Sequence, residues 1–165
     1  MASLYVGMAK QKVLQLAKGL SEDLRTKVVN FFNNDEDNQI SHVNELAILN
    51  SIFDGTGKVK MPEDNTVCAN TKGQTVSACD AKNYDGSTSY SILYDEDGDG
   101  YADGHNMGKY TVLNKSQGAF ESIGYHAKDN NIDGVADNKR PFHIVQEGDA
   151  LCDIETGEKY YGSGI

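Results

Sequence analysis

Residues 91–113 run Ser91-Ile92-Leu93-Tyr94-Asp95-Glu96-Asp97-Gly98-Asp99-Gly100-Tyr101-Ala102-Asp103-Gly104-His105-Asn106-Met107-Gly108-Lys109-Tyr110-Thr111-Val112-Leu113. The nine residues from Asp95 to Asp103 decide how the rest of the chain is read. A short apolar run ends just before them at Tyr94, and a β-branched and aromatic run, Tyr110–Leu113, follows. Both have the composition of strands. Between them, carboxylates recur at the first, third, fifth and ninth places, as Asp95, Asp97, Asp99 and Asp103. Carboxylates at alternate positions turn inward together when the backbone wraps around a point, and Gly100 at the sixth place permits the sharp turn. The carbonyl of Tyr101 at the seventh place can face the same centre. The stretch predicts a strand–loop–strand unit whose loop suits a hard cation with oxygen ligands.

A second stretch, Asp129-Asn130-Asn131-Ile132-Asp133-Gly134-Val135-Ala136-Asp137, repeats the pattern 34 residues later. Here Asp129, Asn131, Asp133, the Val135 carbonyl and Asp137 occupy the equivalent places. Phe120–Tyr125 and Phe142–Val145 flank it as the first pair of runs flanks the first loop, so two related units are expected. Both loops resemble the DxDxDGxxD loops of thrombospondin type 3 repeats and of the FG-GAP repeats in integrin propellers. The resemblance covers about nine residues each time; it implies calcium as the ion and these side chains and carbonyls as its ligands. Calcium suits the pattern better than magnesium, which demands tight octahedral geometry and keeps its waters. Zinc would prefer His or Cys, and neither segment holds one.

A third acidic stretch, Asn33-Asn34-Asp35-Glu36-Asp37-Asn38-Gln39-Ile40-Ser41-His42-Val43-Asn44, resembles an EF-hand loop. That resemblance implies ligands at Asn33, Asp35, Asp37 and Gln39, an apolar eighth place at Ile40, and a helix on either side. The stretch departs from the family at two places. Asn38 stands where Gly is usual, which is mild because Asn tolerates a left-handed conformation. Asn44 holds the twelfth place, with the expected Glu one residue late as Glu45, so the place lacks its bidentate carboxylate, and Asn44 and Glu45 are both candidate ligands.

The surrounding sequence predicts an α+β protein. Tyr5, Met8, Ala9, Val13, Leu16 and Leu20 recur at helical spacing. Ser21 reads as the N-cap of a second helix carrying Leu24, Val28, Phe31 and Phe32, and Ser41 as the N-cap of a third with Val43, Leu46, Leu49, Ile52 and Phe53. After the Asp54-Gly55-Thr56-Gly57 turn no helical period persists. Thr66–Cys68, Thr75–Ala78, Tyr90–Tyr94, Tyr110–Leu113 and Phe142–Val145 read as short strands between turns. Residues 1–54 are thus a helical, EF-hand-like region and residues 58–165 a β-rich region of calcium loops.

Charge and composition narrow the function. The 165 residues carry 15 basic and 25 acidic side chains, a formal charge of −10. Eleven of the acids lie in three short segments, Asp35–Asp37, Asp95–Asp103 and Asp129–Asp137, which contain no Lys or Arg, so the remainder is almost neutral. That balance is wrong for a phosphate-backbone partner. No run approaches the roughly 20 apolar residues of a membrane span. The first 20 residues hold Lys10, Lys12 and Lys18 where a signal peptide would be apolar. Cys68 and Cys79 straddle a Lys72-Gly73 turn, so a hairpin disulfide is plausible, with Cys152 left over. Four histidines are scattered, without a GxSxG or HExxH motif, and His105 reads as a solvated neighbour of the first loop rather than a general base.

These features predict a non-catalytic, acidic, calcium-binding structural or adhesive module. The expected setting is extracellular or at the cell surface, as a subunit of a homo-oligomeric assembly. An EF-hand-type sensor or buffer, and a small secreted enzyme using calcium for stability only, are the alternatives.

Overall fold

The computed structural model describes residues 3–33, 38–62, 66–69, 75–82, 87–116, 119–147, 150–153 and 159–161. Among these residues three helices come first: α1 (Lys10–Ala17), α2 (Glu22–Asn33) and α3 (Val43–Phe53). Eight strands follow: β1 (Thr66–Ala69), β2 (Thr75–Lys82), β3 (Thr88–Asp95), β4 (Gly104–Ser116), β5 (Ala119–Asp129), β6 (Asn138–Glu147), β7 (Ala150–Asp153) and β8 (Lys159–Tyr161). They form an antiparallel meander in chain order, and β8 comes back near β1 and β2. The mixed α+β class is therefore as expected.

The first helix is shorter than its apolar spacing predicts. Residues before Lys10 are taken by an antiparallel bridge instead: Gly7 N–H donates to the Ile40 carbonyl (2.7 Å), Ile40 N–H to the Met8 carbonyl (2.9 Å) and Lys10 N–H to the Asn38 carbonyl (2.8 Å). Met8 and Ile40 are buried by this pairing. Ser21 behaves as expected, its Oγ accepting from Leu24 N–H at 3.4 Å. The third cap does not. His42 takes the place assigned to Ser41, with Nδ1 accepting from Glu45 N–H at 3.2 Å, while the Ser41 hydroxyl donates to the Gln39 carbonyl.

One hydrophobic core joins the helical and β regions. Val13, Val28, Phe31, Phe32, Ile48, Leu49 and Ile52 from the helices meet Val59 and Met61 from the connecting segment and Leu93 from β3. Burying each such side chain contributes about 1.5–3 kcal/mol. Register then fixes what else faces the helices. Leu93 pairs with Ser77 on one side and His105 on the other, and His105 pairs with Asp129. Directly paired residues share a face, so a polar row lies on the same side of the sheet as Leu93.

Asn44 joins this row to α3. Its amide nitrogen donates to the carbonyls of Ser77 (2.8 Å) and Ser91 (3.0 Å), and its oxygen accepts from the Ser77 hydroxyl (2.7 Å). The same register corrects the expected disulfide. Cys68 lies opposite Val76, three residues short of Cys79. At about 3.3 Å per strand residue the two backbones are roughly 10 Å apart, beyond the ~7 Å a disulfide spans.

Candidate metal centre

The first acidic loop links the end of β3 to the start of β4 and is wound around its own carboxylates. Asp95 Oδ1 accepts from Gly98 N–H and Oδ2 from Gly100 N–H, both at 2.9 Å. Asp103 Oδ2 accepts from Glu96 N–H at 2.6 Å, and Asp99 Oδ1 from Tyr101 N–H at 2.9 Å. Asp103 N–H closes the loop onto the Tyr94 carbonyl at 2.8 Å. Gly98 and Gly100 have φ of +73° and +87°, a region that side-chain-bearing residues rarely enter. This winding brings carboxylate oxygens of Asp95, Asp97, Asp99 and Asp103 within 4.8 Å of one another, a group that could hold a metal ion.

The loop is anchored as well as wound. Met61 N–H donates to the Gly100 carbonyl (2.9 Å) and Ala102 N–H to the Val59 carbonyl (2.8 Å), so the residues flanking Tyr101 are pinned to the segment leaving α3. Ala102 packs against the core, and Lys58 Nζ lies 5.8 Å from the centre of the Tyr101 ring.

Electrostatics reflect the crowding. Burial alone would raise the Asp95 carboxyl, but the N–H groups of Gly100 and Gly98, with hydrogen bonds to Asp97 and Asp103, hold it below the usual carboxylate range. For Asp97 the Asp99 N–H favours the ionised form. Desolvation and the neighbouring carboxylates of Asp95, Asp99 and Asp103 outweigh it and push the group up. Like charges so close resist joint ionisation.

The second loop copies the first. Asp129 Oδ1 accepts from Asp133 N–H (3.2 Å) and Oδ2 from Gly134 N–H (2.8 Å). Asp133 Oδ1 accepts from Val135 N–H, Asp137 Oδ2 from Asn130 N–H, and Asp137 N–H donates to the Lys128 carbonyl. Ile132 and Gly134 take the left-handed conformations of Gly98 and Gly100, with φ of 53° and 86°. The repeat seen in the sequence is thus a repeat in backbone geometry.

The donor sets differ, however. Asn131 Nδ2 donates to Asp133 Oδ2 at 3.1 Å, and Asp129 Oδ2 also receives His105 Nδ1–H at 2.7 Å. Burial raises the Asp129 carboxyl, but the His105 contact and the Gly134 and Asp133 N–H groups together lower it. Desolvation keeps Asp133 above its ordinary value against the Val135 N–H, with Asp129 adding to the rise. Among the described residues, only the first loop gathers three or more acidic, His or Cys groups in ligand spacing.

The EF-hand-like stretch is only partly described, because Asp35 and Asp37 lie outside the described residues. Asn33 ends α2 and Gln39 sits in the bridge to Ala9. Asn44, assigned the twelfth ligand place, has both ends of its amide engaged by the sheet and is buried there. Glu45 sits within α3 with Oε1 3.2 Å from His42 Nε2.

His105 is the residue that the sequence misplaced. It is 3% exposed rather than solvated, and it hydrogen-bonds Ser91 Oγ through Nε2 at 2.6 Å as well as Asp129. Strand alternation held a signal for it. A nine-residue loop closing Tyr94 onto Asp103 sets Leu93 opposite His105, on the face that Leu93 buries.

Compared with known proteins, the chain matches no family model, no curated protein and no solved structure.

Proposed function

We propose that this chain is a structural module whose β-rich region is stabilised by calcium, held in the first loop by Asp95, Asp97, Asp99, Asp103 and the Tyr101 carbonyl. The observation that carries the reading is the convergence of four carboxylates within 4.8 Å, with the backbone already turned to aim them. Mutual repulsion in such a group destabilises the folded state, and a divalent cation bound between them converts that repulsion into attraction. All-oxygen donors without His or Cys favour calcium over zinc. The second loop, with one Asn and with Asp129 shared with His105, is the weaker site.

The role we propose for the module is adhesive or architectural, as a subunit of an extracellular or cell-surface assembly. There, millimolar calcium would saturate sites with dissociation constants of about 10⁻⁴–10⁻³ M. The test is thermal unfolding of the full chain in EDTA, in calcium and in magnesium. Stabilisation by calcium exceeding that by magnesium, and lost in Asp97→Ala with Asp99→Ala, is expected. Superimposable melts in all three would overturn the reading.

A further inference from the structure

The sheet has a second face. Side chains alternate along a strand, so Tyr90, Ile92 and Tyr94 of β3 point away from the helices that Leu93 meets, and Asn106 of β4 points away from the face that carries His105. Tyr90, Ile92 and Asn106 are nonetheless 3%, 2% and 7% exposed, and none of them belongs to the helix-facing core. The meander returns β8 near β1 and β2, so this face turns inward and the sheet itself covers it. An eight-stranded sheet curled this far leaves an interior that side chains fill or that holds one small ligand.

In that interior Asn106 Oδ1 is buried and has no hydrogen-bond partner. Buried amides are ordinarily satisfied, because an acceptor taken from water without a donor destabilises the fold. Its neighbours in register are Ile92 on β3 and Lys128 on β5, with Asn138 of β6 next in the same row. Along its own strand Gly104 and Gly108 stand two residues to either side on the same face. Glycine inside a strand often marks a place that a ligand approaches closely. The Tyr94 ring already lies over Gly104, which leaves the Gly108 side. Asn106 is buried, whereas Lys128 and Asn138 are exposed. The row thus runs from the interior to solvent within three strands, which gives a ligand its way in.

We propose that Asn106 Oδ1 is the polar contact of a binding site inside the sheet for a small, neutral, hydroxylated molecule with an apolar body, of the phenol or short-alcohol class. A hydroxyl suits the row because it donates to Asn106 Oδ1 and accepts from the Lys128 ammonium. Directly opposed residues have Cβ atoms about 4.5–5.5 Å apart, close enough for one group to meet both. An ionised carboxylate only accepts, so it leaves Oδ1 unsatisfied, and just past Lys128 it meets the acidic loop Asp129–Asp137. Tyr90 and Ile92, on the same face, offer aromatic and aliphatic surface to the body. The site lies on the face opposite His105 and Asp129 and uses none of the loop carboxylates, so it is independent of any cation there.

The test is an NMR titration of the isotope-labelled full chain with p-cresol and with toluene, the same ring without the hydroxyl. Expected are saturable shifts of the Asn106 and Lys128 signals with p-cresol, and an affinity for toluene lower by about tenfold, the worth of one hydrogen bond. Asn106→Leu, close in size but without the acceptor, should bind the two probes alike. The wild-type comparison does not depend on that variant folding. No saturable shift with millimolar p-cresol would overturn the proposal and leave a buried water as the donor to Asn106. Equal wild-type affinities for the two probes, or a preference for p-cresol that survives in Asn106→Leu, would overturn it as well.

Discussion

His105 Nδ1 lies 2.7 Å from Asp129 Oδ2, with both side chains buried. His105 stands two residues beyond the last carboxylate of the first acidic loop, and Asp129 opens the second. One hydrogen bond therefore ties the two repeated units together across β4 and β5. Leaving either partner unpaired at this depth costs about 1–3 kcal/mol, which gives the pair a structural value.

The two loops should differ in affinity although their backbones match. The first has four converging carboxylates, whereas in the second Asn131 replaces one acid and Asp129 Oδ2 is shared with His105. Calorimetric titration with calcium should lose more affinity in Asp97→Ala than in Asp133→Ala, by about tenfold or more, since fewer ligand charges mean weaker sites. Equal losses would show that carboxylate convergence does not set the affinity.

Local pattern made much of this legible. Three helices, the strands around both loops and the loop repeat follow from periodicity and turn residues. What escaped was decided by pairing between distant segments. Residues 5–9 carry a helical pattern, yet bridging to Ile40 buries Met8 and satisfies the backbone in another way. Asn44 looked like a loop ligand because it holds the twelfth place of an EF-hand-like spacing, whereas its amide meets two carbonyls 33 and 47 residues away. Ser91 and His105 carry no local motif, and only the strand register shows that they share a face.

Asn44 should matter for stability more than a polar helix residue ordinarily does. Asn44→Ala deprives the Ser77 and Ser91 carbonyls and the Ser77 hydroxyl of the partner that bonds all three. The expected loss is about 2–4 kcal/mol, from unsatisfied buried groups. Urea unfolding in EDTA measures it, and a loss below about 0.5 kcal/mol would mean the sheet does not depend on this anchor.

Two glycines with the same backbone conformation should respond differently to alanine. Gly98 and Gly134 both have positive φ, but a Cβ on Gly98 meets nothing within 4 Å, whereas one on Gly134 falls 2.3 Å from a Phe31 ring carbon. Gly98→Ala should cost about 1–2 kcal/mol from the left-handed backbone alone. Gly134→Ala should add about 1–3 kcal/mol of overpacking against the core. Parallel urea titrations in EDTA check the difference, and equal values would show that Phe31 moves aside freely.

His42 should make stability fall with acidification in a window above the carboxylate range. Burial above all, with His105 nearby, pushes its pKa down to about 3. Nδ1 accepting from Glu45 N–H favours the same neutral ring. Unfolded, the ring titrates near 6.5. As pH falls below that value the unfolded chain takes up a proton that the folded chain refuses until about 3, so the unfolded state binds more protons and folding weakens by up to about 1.4 kcal/mol per pH unit. The depressed carboxyls of Asp95 and Asp129 act in the same direction but only below pH 4. Asn at position 42 would still cap α3 without titrating. The stability difference between wild type and His42→Asn, followed by urea unfolding in EDTA from pH 7.5 to 5, should therefore shift progressively in favour of the variant. A difference that stays constant over that range would mean the ring protonates in place without opposing the fold.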